Sequence, residues 1–397
     1  MSKVIAVDLV LTQDFFPRFG GAHMWLYEVY RRWPTPVTLL TRSYDATPAD
    51  RESQTRFDAR DHGSLRIVRA DMTVDDINLL SGASRKRFAN SVRQVRAIAG
   101  KERVTLHVLR AFPEGFTALL TKLRSPRKTK LIIYAHGEET LVARASGQLR
   151  LIAQLVYRFA DLVIVNSQST EALVKGLCPS ARTVCIHPGV DASQFRASSE
   201  TVDAFRAQWG WPSGTVIVST IARMEPRKNQ VAVLKAVSAL RAKGVPLAYV
   251  CAGDGEERPK LEALARSLGI EAWVRFPGSV TDEQKVLTYA ASDLYAMPSI
   301  RSGEMIEGFG IVFVEAAAAG IPSICGNVGG QSEAVIDGQT GIVVDGTDQA
   351  AVEAAMERLA TNMSLREQMG AAGRMHAASL DWHDVTAATV RAVGGRA

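Results

Sequence analysis

No G-x-G-x-x-G follows a β-branched run in this chain of 397 residues, which argues against a nicotinamide or flavin cofactor. The four cysteines, Cys178, Cys185, Cys251 and Cys325, show neither C-x-x-C nor metal-ligand spacing. They read as free thiols of a reducing cytosol, with Cys251 and Cys325 buried at the ends of apolar strands. No apolar run reaches the roughly 18 residues of a membrane-crossing helix. The opening "MSKVIAVDLVL" lacks a small-residue cleavage site, so it reads as a core strand and not as a signal peptide. Internal repeats and low-complexity tracts are absent, which excludes a solenoid. Basic residues are not interleaved with aromatics, and no known module supports a nucleic-acid partner.

What is present is a nearly unbroken alternation. Short apolar runs predict strands at 3–9, 37–41, 66–69, 104–109, 130–135, 162–166 and 183–187. A second series falls at 215–221, 247–252, 273–276, 294–297, 322–325 and 341–344. Helical patterns lie between them, as at 22–33, 229–243 and 259–268. Such alternation predicts parallel sheets with right-handed crossovers in an α/β fold. The length calls for two domains. A polar, turn-rich stretch near 188–214 predicts the break: one domain over 1–190, a linker over 191–213, a second domain over 214–380, and a closing helix over 381–397 that can cross back to the first. Charge is uneven, with 28 Lys and Arg against 17 Asp and Glu up to residue 190, and 19 against 24 beyond. A basic first half suggests that it meets something anionic.

Ligands of open α/β sheets bind beyond the carboxyl ends of the strands, so the segments after each run are the candidates. Glu307 and Glu315 stand eight residues apart in "EGFGIVFVEAAAAG". The first lies in a polar loop and the second about one turn into an apolar helix. Between them, the N–H groups of Gly308, Phe309, Gly310 and Ile311 precede that helix, where unsatisfied donors attract phosphate and oxygen-rich ligands. Hydroxyl acceptors beside anion donors suit a nucleotide sugar. Arg223 and Lys228, in "ARMEPRKNQ", flank a proline turn that opens a helix, and two cations there make a diphosphate site. Gly20 and Gly21 precede another helix and allow close approach of a phosphate or sugar. His136, followed by Glu138 and Glu139 in "HGEET", ends the run at 130–135, a position suited to a cleft.

On these residues the chain resembles the retaining GT-B glycosyltransferases of the group-one (family 4-like) family, which includes bacterial mannosyl and hexosyl transferases. The resemblance covers nearly the whole chain and is densest over 215–345. It implies two doubly wound Rossmann-like domains facing across a cleft, with a helical C-terminus. In that family a Gly-Gly loop after the first strand touches the donor, matched here by Gly20 and Gly21. A His faces the donor sugar, matched by His136. An R-x4-K pair binds the donor diphosphate, matched by Arg223 and Lys228. An E-x7-E pair closes the site, which puts Glu307 at the donor sugar and Glu315 on the ribose hydroxyls. The amides of Gly308 to Ile311 would bind sugar and phosphate. The loop "GSVTDEQK" would contact the base through Val280 and Lys285. His136 and Glu307 then carry the catalytic roles. Asn229 departs from the pattern, many relatives having Gly there. A D-x-D motif for a divalent ion is missing, so the resemblance implies a metal-independent reaction with no cofactor. Retention would come from a front-face mechanism in which the leaving phosphate helps deprotonate the acceptor.

The implied function is transfer of a hexosyl unit from a UDP- or GDP-sugar to an acceptor hydroxyl. The setting would be cell-envelope glycan or glycolipid synthesis, in the cytoplasm or at the inner face of the membrane. A nucleotide-sugar epimerase or hydrolase of similar fold is the nearest alternative. A non-catalytic sugar-nucleotide-binding protein is another, disfavoured by the intact set Arg223, Lys228, Glu307 and Glu315. The segment 81–103 predicts a helix with an apolar stripe of Phe88, Val92, Val95 and Ala99. Arg85, Lys86, Arg93, Arg96 and Lys101 crowd its other faces, and Arg124, Arg127, Lys128 and Lys130 form a second cluster. Either this face docks on an anionic membrane or lipid-linked acceptor, or the stripe packs on the core and the cations are merely solvated.

Overall fold

The computed structural model describes residues 7–16, 20–43, 47–72, 77–100 and 102–394. The chain divides into two compact units, residues 1–187 with 382–397, and residues 188–381. In the first unit the strands are β1 (Val7–Leu11), β2 (Val37–Thr41), β3 (Leu65–Arg69), β4 (Val104–Val108), β5 (Thr129–Ala135), β6 (Leu162–Val165) and β7 (Thr183–Cys185). They form one seven-stranded sheet in the order β3-β2-β1-β4-β5-β6-β7. In the second unit β8 (Val216–Ile221), β9 (Leu247–Ala252), β10 (Val274–Gly278), β11 (Leu294–Met297), β12 (Ser323–Gly326) and β13 (Gly341–Val344) pair in the order β10-β9-β8-β11-β12-β13. Every strand pair is parallel.

The expected α/β class is thus borne out in both units. The central strands read as continuous apolar runs because helices cover both faces of a parallel sheet. All residues of β4, β8, β9 and β11 are buried. The strand predicted at 3–9 is seen from Val7 onward, residues 3–6 lying outside the described residues. In each sheet the strand order reverses once, between β1 and β4 and between β8 and β11. Those switch points are where such sheets bind ligands.

Two stretches differ from a plain reading of the sequence. The polar segment expected as a linker folds into a 3-10 turn, Ala192–Phe195, and a helix, Ser199–Ala207. Asp191 and Ser198 cap them by accepting from the backbone N–H groups of Ser193 and Thr201. Phe195 is buried edge-on against Tyr289, so this segment belongs to the second core. The closing helix, Trp382–Gly394, belongs to the first unit. It packs on the helix Gly21–Arg31, and its Val393 carbonyl accepts from Lys130 Nζ. The helix Gly82–Ala99 buries Phe88, Val92, Val95 and Ala99 in the first core. Its apolar stripe is therefore packing, and Arg85, Lys86, Arg93 and Arg96 face outward. Lys101 lies outside the described residues. Cys178, Cys251 and Cys325 are buried free thiols and Cys185 is a half-buried one.

Candidate active site

The second unit gathers its charges at the β8/β11 switch point. β8 runs into a tight 3-10 turn, Pro226–Lys228, and the chain then re-enters a helix, Gln230–Ala242. Asn229 joins the two at φ +57°, a left-handed conformation that Asn tolerates better than other residues with a side chain. Its Nδ2 donates to the carbonyls of Pro298 (3.1 Å) and Gly346 (2.7 Å). Asn therefore supplies what Gly would supply at this turn, and it ties the turn to the loops after β11 and β13.

Lys228 is buried and donates to Glu307 Oε2. Arg227, also buried, donates to the same oxygen from Nη1 at 3.0 Å and to Glu225 Oε2 from Nε at 3.0 Å. Arg223, by contrast, is exposed and pairs with Glu225 Oε1 at 2.7 Å. The structure thus brings Lys228 to Glu307, holds Arg223 outside that contact, and inserts Arg227. Spacing alone had passed over Arg227; its only signal was a third cation inside "EPRK". Burial pushes the Glu307 carboxyl up, but the Lys228 and Arg227 charges outweigh it and hold the pKa below the ordinary value. Glu307 is also fixed through its backbone: its carbonyl accepts from Gly330 N at 3.0 Å. A Cβ on Gly329 (φ +77°) would lie 2.0 Å from that carbonyl oxygen, so only glycine allows the approach.

Beyond Glu307 the chain enters the helix Ile311–Ala319 through Gly310, whose φ is +89°. Gly308 and Ile311 are half-buried, and Phe309 and Gly310 are buried. That helix is apolar almost all round, as a core helix must be. Glu315 survives inside it because both carboxylate oxygens are paired. Lys285 Nζ donates to Oε1 at 2.8 Å and Tyr289 OH donates to Oε2 at 3.0 Å. Both partners come from the helix Asp282–Ala290, where they sit four residues apart on one face. Thr281 and Gln284 start that helix with a reciprocal capping box. Val280, just before it, packs on the cluster containing Tyr289 and Phe309.

In the first unit the candidates follow β1, β4 and β5. Gly20 caps the helix Gly21–Arg31 with φ −143°, and a Cβ there would meet no described atom within 4 Å. Neither conformation nor packing demands glycine at this point. Gly20 N donates to His23 Nδ1 at 3.2 Å, and Arg110 Nη2 lies 3.4 Å from His23 Nε2. His136 is half-buried with its ring edge-on to Trp25. Its Nε2 donates to the Leu109 carbonyl at 3.0 Å, which leaves Nδ1 as an acceptor. Burial and then the Arg110 charge lower its pKa to about 3, so the ring is neutral. Next to it Glu139 Oε1 accepts from His136 N at 2.9 Å, and burial pushes the Glu139 carboxyl up to about 7. Glu139 was read from the sequence only as a neighbour of His136, and His23 and Arg110 were not singled out.

Residues 19–194 match the family described as "Glycosyltransferase Family 4", and residues 201–376 match "Glycosyl transferases group 1". The chain is 30% identical over 383 residues to a GDP-mannose-dependent alpha-(1-6)-phosphatidylinositol monomannoside mannosyltransferase of Mycobacterium tuberculosis, covering 94% of this chain and 93% of that protein. The chain belongs to the group 1 glycosyltransferase family. A Corynebacterium glutamicum member, a GDP-mannose-dependent monoacylated alpha-(1-6)-phosphatidylinositol monomannoside mannosyltransferase, is 28% identical over 376 residues, with coverage of 93% and 92%. Among solved structures, Anabaena Alr3699/HepE in complex with UDP-glucose superposes with a TM-score of 0.78 at 19% identity, over 98% of this chain and 99% of that one. As a group 1 glycosyltransferase with this fold, the chain is a GT-B enzyme that transfers a glycosyl unit.

Proposed function

We propose that this glycosyltransferase moves a hexosyl unit, with retention of anomeric configuration, from a nucleoside-diphosphate sugar to a hydroxyl of a glycolipid acceptor. The observation that carries the reading is the Glu307 carboxylate. It is held by Lys228 and Arg227 at the switch point of the second sheet, one residue before a run of backbone amides that opens a helix. A carboxylate kept ionised accepts hydrogen bonds from sugar hydroxyls, and Lys228 beside it is the cation that meets developing phosphate charge. Arg223 is the arm that can swing to the diphosphate, since among the described residues its side chain is anchored by one exposed pair with Glu225. The amides of Gly308 to Ile311 add donors at the positive end of a helix. Glu315 offers its remaining lone pairs to the ribose hydroxyls, and Val280 with Lys285 borders the base. Arg223, Lys228 and these amides neutralise the leaving diphosphate in place of a divalent ion.

In the first unit, neutral His136 offers Nδ1 to a sugar hydroxyl and does not act as an acid. Gly20 and Gly21 leave room for a ligand to approach the backbone. Among the described residues none is placed as an obvious nucleophile, which favours a front-face reaction in which the leaving phosphate takes the acceptor proton. The protein's part is positioning and charge stabilisation. The relatives' dependence on GDP-mannose and their phosphatidylinositol mannoside acceptors make GDP-mannose and an inositol-bearing glycolipid the first pair to test. An anionic lipid leaflet is the surface at which such an acceptor would be met.

The test is incubation with GDP-mannose or UDP-glucose, with and without a phosphatidylinositol mannoside, and product analysis by NMR. An α-linked product formed only with acceptor is expected. A β-linked product would overturn retention, and sugar release or epimerisation without acceptor would favour the hydrolase or epimerase reading.

A further inference from the structure

Arg227 is 5% exposed. A buried guanidinium is stable only if its donors are paired. Here the pairing is directional. Nε donates to Glu225 Oε2 and Nη1 to Glu307 Oε2, each at 3.0 Å, while the Arg227 carbonyl accepts from Ile300 N at 2.9 Å. Charges therefore alternate along one chain: Arg223, Glu225, Arg227, Glu307, Lys228. Both cations that reach Glu307 converge on Oε2. Oε1 takes no hydrogen bond among the described residues.

We propose that Arg227 is a positioning residue that sets the orientation of the Glu307 carboxylate, with Glu225 as its anchor, so that Oε1 is the oxygen presented to the donor sugar. The proposal rests on the reading of Glu307 as the sugar-facing carboxylate. Lys228 cannot fill this role alone. Its ammonium is a point charge on a rotatable stem, and it neutralises Glu307 without fixing the carboxylate plane. The guanidinium is a planar fork, here clamped at both ends. A carboxylate left free to rotate would still bind the nucleotide, because nucleotide contacts lie elsewhere, but would meet the reacting sugar in the wrong pose. Arg227 thus acts on turnover through Glu307 without touching substrate.

The experiment is steady-state kinetics with GDP-mannose and acceptor on Arg227→Lys, Arg227→Met and Glu225→Gln, with calorimetry of GDP binding and thermal denaturation as a check on folding. Arg227→Lys keeps the charge and loses the fork. It is expected to lower kcat at least tenfold while GDP affinity stays within twofold, and Glu225→Gln to show the same kcat-selective loss to a smaller degree. In Arg227→Met, Glu307 keeps Lys228 on the same turn but loses one of its two cations. Tyr295 on β11 feels the Glu307 charge, and Glu225 faces Arg227 from the other side. The acidic limb of the kcat profile should therefore move to higher pH in Arg227→Met and stay in place in Arg227→Lys. Unchanged kcat in folded Arg227→Lys, or a loss expressed wholly as weaker GDP binding, would overturn the proposal. Glu307→Gln separates it from the underlying reading. Wild-type turnover in Glu307→Gln would sink the sugar-facing role itself. An inactive Glu307→Gln beside an unaffected Arg227→Lys would sink only the role of Arg227.

Discussion

Two cations of one short turn have opposite environments, and that difference decides what each mutation does. Arg223 is solvated, and its pair with Glu225 contributes little to stability. Arg223→Ala should leave the thermal midpoint nearly unchanged. It should weaken GDP or UDP binding about tenfold or more, since a charge-assisted contact is worth about 1.5–3 kcal/mol. Lys228→Ala removes one partner of a buried pair, which typically costs about 3–5 kcal/mol. It should lower the midpoint, nucleotide affinity and turnover together. Calorimetry and thermal denaturation read these apart, and full nucleotide affinity in Arg223→Ala would take that residue out of the diphosphate site. Glu139 makes a different prediction. Its carboxyl titrates at about 7 in the folded protein against an ordinary 4.5. A folded pKa above the unfolded one means that stability is complete below pH 4.5 and is lost as pH rises through about 7. The shift corresponds to up to about 3 kcal/mol. Glu139→Gln should therefore be progressively more stable than wild type between these limits, measured by urea denaturation at several pH values. A pH-independent difference would show that the Glu139 carboxyl is not held protonated.

At the scale of elements, the helices Asp282–Ala290 and Ile311–Ala319 are joined by a polar contact inside an apolar packing. Glu315→Ala leaves Lys285 and Tyr289 without their shared carboxylate. Donor KM should rise about tenfold while kcat falls less, because a ribose contact is made equally in ground and transition states. A kcat-only effect would place Glu315 at the reacting sugar instead. The sequence showed where strands and helices lie because parallel strands buried on both faces leave an unmistakable apolar trace, as in "TVIVSTI" for β8 and "LAYVCA" for β9. It also showed Glu307 and Lys228 as candidates by motif. What it hid were pairings between distant positions. Nothing local says that Arg227 turns inward to a carboxylate 80 positions away while Arg223 turns out. Nothing local says that Asn229 keeps a left-handed turn by bonding Pro298 and Gly346. The helix Ser199–Ala207 was hidden for a similar reason: more than half of its residues are polar, none is buried, and Phe195 before it carries the contact with the core. The amphipathic stripe at Phe88 to Ala99 was legible as a helix but not as a surface, because periodicity reports an apolar face and not what covers it.

At the scale of the molecule, the excess of basic residues belongs to the half of the chain up to residue 190. No helix among the described residues is long and apolar enough to cross a membrane. The apolar stripe of the helix Gly82–Ala99 is in the core and so is not available to a surface beside its outward cations. A better-equipped face lies where the helix Glu114–Arg124 ends beside the helix Gly147–Phe159. Lys122 Nζ donates to the Phe159 carbonyl at 2.9 Å and ties the two ends together. Leu123, Leu151 and Phe159 are 57%, 55% and 43% exposed. Exposed Arg124, Arg127, Lys128, Arg150 and Arg158 belong to the same two helices and the turn that follows the first. Cations around solvent-facing Leu and Phe match what an anionic leaflet offers: charge attraction of about 1 kcal/mol per residue near the surface, and burial of apolar side chains at about 25 cal/mol per Å². The wild-type protein should co-sediment with vesicles containing anionic lipid and be released by high salt. Arg124→Gln with Arg127→Gln and Lys128→Gln should abolish binding. Leu151→Gln with Phe159→Gln should weaken it and make the remainder more sensitive to salt, while transfer to a soluble acceptor stays at wild-type level in both variants. Equal recovery in the supernatant with anionic and neutral vesicles at low salt would remove the membrane from the function and leave the excess positive charge of this half to a phosphorylated acceptor in solution.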